Sequence, residues 1–222
     1  MSEWINLEIK TQSNEHANTI ANTARSYFED AYEKRFEYWG KCIEAQNHRV
    51  VNNAETAMYH FDYEELNGWL FEEIAKDHPD ISFDGTCECE NDNGYSPDSF
   101  RKVYNSEILL EVGKTNKAKL IFCRKSYSGQ YVMPDNIIQI CDEAFQDCTA
   151  LQSVFVSKNV KKIGKNAFSG CSKLSEIHIP ATVEKITGKA VFKDCKELTI
   201  YAPAGSVAEA YAKANKIPFI AE

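Results

Sequence analysis

The side chains with reactive chemistry are unevenly distributed along these 222 residues. Asp84, Glu88, Glu90 and Asp92 follow one another like oxygen ligands for a hard cation. An EF-hand loop, however, needs oxygen donors at positions one, three and five, glycine at six and glutamate at twelve. In "ECENDNGYSPDS" Asn93 stands at six and Ser99 at twelve, which favours a solvated acidic hairpin. Cys87 and Cys89 project to one side of a strand, and His16, His60 and His78 share this half of the chain. A cysteine–histidine nucleophile pair needs only to meet in space, so an enzyme or small-ligand site in the N-terminal half stands as the alternative reading. No phosphate-binding glycine loop, G-x-S-x-G elbow or H-E-x-x-H helix occurs. The eight cysteines show no CxxC or histidine spacing of a zinc site. No catalytic residue, metal ligand or cofactor is assigned.

Lysines form the other chemical cluster. Lys158, Lys161, Lys162 and Lys165 are followed by Lys185, Lys189, Lys193 and Lys196, a ridge that would attract phosphates. Lysines also keep repeat edges soluble, and the rest of the chain opposes a polyanion. Residues 1–112 hold 23 acidic against 9 basic side chains, and residues 113–222 hold 10 against 16. Nucleic acid is therefore disfavoured, and an acidic protein surface, including the N-terminal half of the same or another molecule, is the more natural counterpart. No stretch approaches the roughly 18 apolar residues of a membrane span. Charged residues make up 26 % of the chain and aromatic ones 12 %, as expected of a soluble globular protein. "MSEWINLEIK" has no basic start followed by an apolar run, so no secretory signal is read there and a cytoplasmic location is expected.

The elements that position these groups differ between the halves. From about residue 130 one phrase recurs. Pro134, Ser157, Pro180 and Pro203 are spaced by 23, as are Ile140, Ile163 and Ile186, and Ala144, Ala167 and Ala190. Phe145 and Phe168 keep that interval while Phe192 arrives one residue late, and Cys148, Cys171 and Cys195 behave in the same way. Leu174, Ile177 and Ile179 alternate as in a short strand with Glu176 and His178 facing out. One such strand cannot bury its apolar side alone. Stacked units put Ile on Ile, Phe on Phe and Cys on Cys, building a shared core from identical layers, in which the cysteines act as small apolar side chains.

The segment "VKKIGKNAFSGCSKLSEIHIPATVEKI" resembles the BspA-type leucine-rich repeat family, over roughly residues 120–222. "GQYVMPDNI" is similar to the family's entry into its first full repeat, and "IYAPAGSVAEAYAKANKIPFI" to its end. Ser157 replaces the usual proline, Cys141 the usual glycine, and "ITGKAVFKDC" is one residue long. Ser206 and Glu209 form a capping box, with Val207, Ala210, Tyr211 and Ala214 as the apolar stripe of a helix that shields the last repeat. The resemblance implies a non-enzymatic interaction scaffold, of protein-binding or adhesion type, and a secreted or cell-surface location as the alternative to the cytoplasm. Its sheet face would present Ser153, Phe155, Glu176, His178, Thr199 and Tyr201. Phe155, His178 and Tyr201 would line up as an aromatic strip suited to a contact hot spot, against the plainer reading of surface residues with good β propensity.

The N-terminal half reads as strand, helix, strand, helix and hairpin. The strands are "EWINLEIKTQ", "NAETAMYHFD" at 53–62 and "ISFDGTCECE", and "SFRKVYNSEILLEV" returns after an Asn93-Gly94 turn. The helices run from Asn14 to Arg35 and over "YEELNGWLFEEIAKDHPD", which Pro79 ends. An antiparallel ferredoxin-like sheet with two helices on one face is the expected α+β packing. The expected division is an acidic domain of unknown function over 1–115 and a capped repeat solenoid over 116–222. Oligomeric state is not legible.

Overall fold

The computed structural model describes residues 3–30, 43–47, 49–52, 63–91, 100–113 and 115–222. The chain divides into two compact units, Met1–Leu109 and Leu110–Glu222.

In the first unit, β1 (Glu3–Thr11) leads into α1 (Asn14–Asp30). Ser13 starts that helix: its Oγ accepts from His16 N at 3.1 Å and its carbonyl from Ala17 N at 3.0 Å, satisfying backbone donors that a helix start leaves open. A hairpin of β2 (Ile43–Gln46) and β3 (Arg49–Asn52) follows, then α2 (Tyr63–Asp77), β4 (Phe83–Asn91) and β5 (Phe100–Tyr104). Neighbours in the order β5-β4-β1-β3-β2 are all antiparallel. The four strands β4-β1-β3-β2 have the order and directions of a ferredoxin-like sheet, with β5 added beside β4. The hairpin at 43–52 was not expected; the strand expected over 53–62 lies outside the described residues, as do Asn93 and Gly94. The return segment is also two strands, β5 and β6 (Ile108–Val112). Asn105 separates them, its side chain accepting from Glu107 N at 3.1 Å and Ile108 N at 2.8 Å.

α1 buries Ala17, Ile20, Ala21 and Ala24, recurring at intervals of three and four residues, and packs on β1, β2, β3 and α2. Thr23 Oγ1 lies 2.6 Å from His78 Nε2, just beyond α2. α2 buries Leu70, Phe71, Ile74 and Ala75. Gly85 of β4 makes room for Phe71, because a Cβ there would overlap its ring. Phe83 continues the cluster, 5.9 Å from Phe71 and 5.6 Å from Tyr104 between ring centres.

The second unit is a stack of short turns, each repeating the last. Two parallel ladders run through it. One joins β7 (Ala118–Cys123), β9 (Ile137–Ile140), β11 (Lys162–Ile163) and β13 (Lys185–Ile186). The other, in the order β15-β14-β12-β10-β8, comprises β8 (Ser128–Val132), β10 (Ala150–Phe155), β12 (Glu176–His178), β14 (Thr199–Ala202) and β15 (Phe219–Ala221). Between them like side chains stack: Phe145 on Phe168 at 4.9 Å and 10°, and Phe168 on Phe192 at 5.3 Å and 12°. Ile140, Ile163, Cys148, Cys171, Leu151, Leu174, Ile177 and Ile200 are fully buried. Burying each large aliphatic side chain contributes about 1.5–3 kcal/mol.

The turns need left-handed backbone, found at Glu143 and Asn166, 23 residues apart, and at Asp147, Gly170 and Asp194. Asn, Asp and Gly accept this conformation most readily. The third copy departs from sequence arithmetic. Phe145 N donates to Ala167 O, but Phe168 N donates to Val191 O. Val191, fully buried, therefore takes the alanine position, and Ala190 is displaced to partial exposure. The extra residue is absorbed around Gly188, where φ is +85°.

The terminal helix α3 (Val207–Asn215) has the expected cap: Glu209 N donates to Ser206 Oγ at 3.2 Å, and Gly205 N to the Glu209 carboxylate at 2.6 Å. Its buried side chains are Ala208 and Ala212, with Tyr211 half-buried, whereas Val207, Ala210 and Ala214 are exposed. The stripe is thus rotated from the expected one, because small alanines let the helix sit closely on β13, β14 and β15. Tyr211 anchors it by donating from its hydroxyl to Lys189 O at 2.9 Å.

Candidate partner-binding face

The five-stranded ladder places the expected face in three parallel rows. The inner row, Tyr131, Val154, Ile177, Ile200 and Phe219, points into the unit. The next residue on each strand points out, giving the row Val132, Phe155, His178, Tyr201 and Ile220. Two residues earlier on the strands lies a polar row of Gln130, Ser153, Glu176 and Thr199.

Phe155 and His178 stack at 4.3 Å and 8°, and His178 and Tyr201 at 4.7 Å and 14°. Strands in a ladder lie about 4.8 Å apart, so rings on neighbouring strands in register are brought face to face. His178 thus has a ring on each of its faces, while Phe155 and Tyr201 each turn one face to it. The row ends on aliphatic side chains, Val132 at 62 % and Ile220 at 48 % exposure, two of the three most exposed large apolar residues among those described. His178 Nδ1 lies 3.0 and 3.2 Å from the two carboxylate oxygens of Glu222, which fixes the imidazole within the stack.

Five of the six expected face residues, Phe155, Glu176, His178, Thr199 and Tyr201, are partly exposed. Ser153 is the correction: it faces outward by register but is only 6 % exposed. Its short side chain lies between the longer Gln130 and Glu176 on the flanking strands, and it separates those two rather than offering a contact. Val132 and Ile220 were missed. Val132 follows from the same period, 23 residues before Phe155, whereas Ile220 comes only 19 after Tyr201 because α3 interrupts the repeat.

The other chemical clusters are dispersed. Asp84, Glu88 and Glu90 lie along β4, whose pairing with β1 is unbroken from Phe83 to Asn91; an extended strand does not wrap an ion. Asp84 is engaged by Arg101, at 2.8 Å from Nε and 2.6 Å from Nη2, and this bond raises the guanidinium pKa. Asp92 and His60 lie outside the described residues. Cys87 and Cys89 are backbone partners of Leu7 and Ile5, while His78 meets Thr23. Among the described residues no group of three or more His, Cys, Asp or Glu could hold a metal ion. Of the lysines, Lys162 and Lys185 are register neighbours. Lys161 pairs with Glu184 at 2.9 Å and Lys158 with Asp135 at 3.0 Å, so part of the ridge is neutralised within the unit.

A stack of 23-residue turns with two parallel ladders, a shared Ile/Phe/Cys/Leu core and a helical cap defines a leucine-rich repeat solenoid. Residues 116–214 match the BspA type leucine rich repeat region in six copies. Three solved structures are similar to part of the chain. A leucine rich cell surface protein from Faecalibacterium prausnitzii shares 20 % identity and a TM-score of 0.37, over 51 % of this chain and 37 % of that one. A leucine-rich repeat protein from Bacteroides capillosus shares 20 % identity and a TM-score of 0.35, over 45 % and 97 %. A leucine rich repeat protein of T. pallidum shares 18 % identity and a TM-score of 0.31, over 44 % and 70 %. The chain thus spans little more than a third of the F. prausnitzii protein. No curated protein matches it. Among the described residues no helix is long and apolar enough to cross a membrane.

Proposed function

We propose that this is a non-enzymatic protein-binding or adhesion-type protein, and that its partner is a protein docking on the row Val132, Phe155, His178, Tyr201 and Ile220. Leucine-rich repeat scaffolds typically mediate protein interaction or surface adhesion. The observation that carries the reading is the stacked row itself: five apolar or aromatic side chains in register, exposed at both ends, beside a polar row carrying Glu176 and Thr199. Interface hot spots favour such rigid aromatic groups ringed by polar ones. Nucleic acid fits poorly with an acidic N-terminal half and with Lys158 and Lys161 paired to carboxylates.

The test is capture from native cell extract with full-length protein and a Phe155→Ser, Tyr201→Ser double variant whose circular dichroism matches the parent. Proteins retained by the parent and lost by the variant support this face. Equal capture by both proteins moves the binding surface elsewhere.

A further inference from the structure

The five-stranded ladder ends on β8 at one side and on β15 at the other; among the described residues no strand lies beyond either. Exposed strand edges invite pairing with another chain unless something blunts them. β8 is blunted. Its register with β10 shifts between Leu151 and Ser153, Gly129 has a φ of +84°, and Gln130 O already accepts from the Tyr127 hydroxyl at 3.0 Å. The last strand of the other ladder, β13, is packed against α3.

β15 has no such protection. Phe219, Ile220 and Ala221 are uncharged and run in unbroken register with Ile200, Tyr201 and Ala202. Ile200 N donates to Pro218 O at 2.9 Å, and Glu222 N to Ala202 O at 3.2 Å, so the even-numbered residues here turn their backbone groups toward β14. Successive residues of a strand point these groups to opposite edges. Phe219 and Ala221 therefore hold theirs toward the open edge. Two of the three exposed large apolar side chains among the described residues also lie at this end, Ile220 on β15 and Val207 on α3.

We propose that β15 is a homodimerisation edge, pairing antiparallel with β15 of a second copy about a two-fold axis at Ile220. In that register Phe219 of each copy faces Ala221 of the other, and each such pair exchanges two N–H···O=C bonds. Ile220 meets its own equivalent on the axis. The occupant is a second copy because a two-fold contact sets one patch against itself, and this edge offers matching donors and acceptors to its own copy. Charge agrees with the register. Glu222 of one copy comes opposite Pro218 of the other, beside Lys216, which is exposed and makes no ion pair among the described residues. Opposite charges thus meet on both sides of the axis. The two α3 helices fall on the same face of the joined sheet, each with Val207, Ala210 and Ala214 exposed. The contact uses the strand edge and does not rest on the partner proposed for the outer row; of that row it involves Ile220 alone.

Sedimentation velocity of the full-length protein, over a concentration series into the high micromolar range, should show a monomer–dimer equilibrium without larger species, because a two-fold contact closes. Ala221→Pro removes the N–H aimed at the second copy and keeps the bonds to β14, so it should weaken dimerisation about tenfold or more with an unchanged circular dichroism spectrum. Lys216→Glu should weaken it as well, and adding Glu222→Lys should restore it. Ile220→Cys puts two thiols on the axis. Directly opposed Cα atoms of a non-hydrogen-bonded antiparallel pair lie about 4.5 Å apart, within the roughly 4.4–6.8 Å that a disulfide spans. Mild oxidation of this variant should therefore give a covalent dimer on a non-reducing gel, whereas Val132→Cys at the opposite end should give no more than the parent. A parent that stays monomeric throughout overturns the proposal, as does a dimer that Ala221→Pro leaves intact. Cross-linking through Val132→Cys equal to that through Ile220→Cys overturns it too. Should Ala221→Pro fold poorly, the Ile220→Cys cross-link decides.

Discussion

Replacing Phe168 by alanine tests the stacked core where it is most continuous. The ring is fully buried and lies between Phe145 at 4.9 Å and Phe192 at 5.3 Å, nearly parallel to both. Truncating a buried phenylalanine costs about 3–5 kcal/mol, the range reflecting how far the surroundings collapse. Collapse is restricted here, because the backbones on both sides are fixed by Phe145 N to Ala167 O and Phe168 N to Val191 O. Two ring contacts, each worth about 0.5–1.5 kcal/mol beyond area burial, are lost as well. The expected cost is at the top of the range, about 4–5 kcal/mol, against a stability of about 5–15 kcal/mol for a whole domain. Phe168→Leu keeps most of the volume and loses mainly the stacking, so about 1–2 kcal/mol is expected. In a solenoid stability is a sum of nearest-neighbour terms, so the alanine gap should loosen the last turn and α3 more than β8. Urea unfolding followed by circular dichroism gives the total, and peptide-resolved hydrogen exchange over β8, β12, β14 and α3 gives its distribution. A loss below about 1.5 kcal/mol, or equal losses for alanine and leucine, would refute the stacked-core reasoning.

Gly85→Ala places a Cβ on the Phe71 ring, and overpacking of this kind costs about 1–3 kcal/mol; unfolding followed through Trp69 of α2 reads it. Glu209 is held below the usual carboxylate range by its bond to Lys213 and then by Gly205 N. Its folded-state pKa is depressed, so its contribution to α3 is complete above the ordinary value of about 4.3 and is lost as pH falls through the lower folded value. Hydrogen exchange in α3 should therefore separate Glu209→Gln from the parent at neutral pH and converge with it in acid; a constant difference across that range contradicts the cap. Arg101→Ala removes a solvent-exposed two-point ion pair to Asp84 and should cost about 0.2–1 kcal/mol, less in high salt; thermal melts at two salt concentrations check it.

Legibility in the sequence followed periodicity. Where the interval was constant, arithmetic on residue numbers placed Ile on Ile and Phe on Phe, and put Phe155, His178 and Tyr201 in one row. Where the interval broke, local geometry decided. Subtraction assigned Ala190 to the alanine column, but the backbone bond from Phe168 selects Val191, because hydrogen bonds register the rungs and an inserted residue moves whatever follows it. The helix stripe was misplaced by rotation for a related reason. α3 carries alanine at 208, 210, 212 and 214, so composition does not choose its buried face; the close approach to the last turn does. In the N-terminal unit the long β1, α1, α2 and β4 were readable from their patterns. The four-residue strands β2 and β3 are too short to show alternation, and their pairing through Glu44–Val51 and Ala45–Val50 is a tertiary fact.

The geometry of the exposed row also bears on which chemistry it suits. Aromatic residues that bind sugars or planar cofactors offer a ring face, whereas Phe155, His178 and Tyr201 turn their faces to one another. The row is continued at each end by the exposed aliphatic side chains of Val132 and Ile220. The proposed protein partner would match such a row with apolar side chains. The same strand spacing that stacks Phe145, Phe168 and Phe192 inside the unit therefore shapes the outer row, in which Phe155, His178 and Tyr201 are held as one stack.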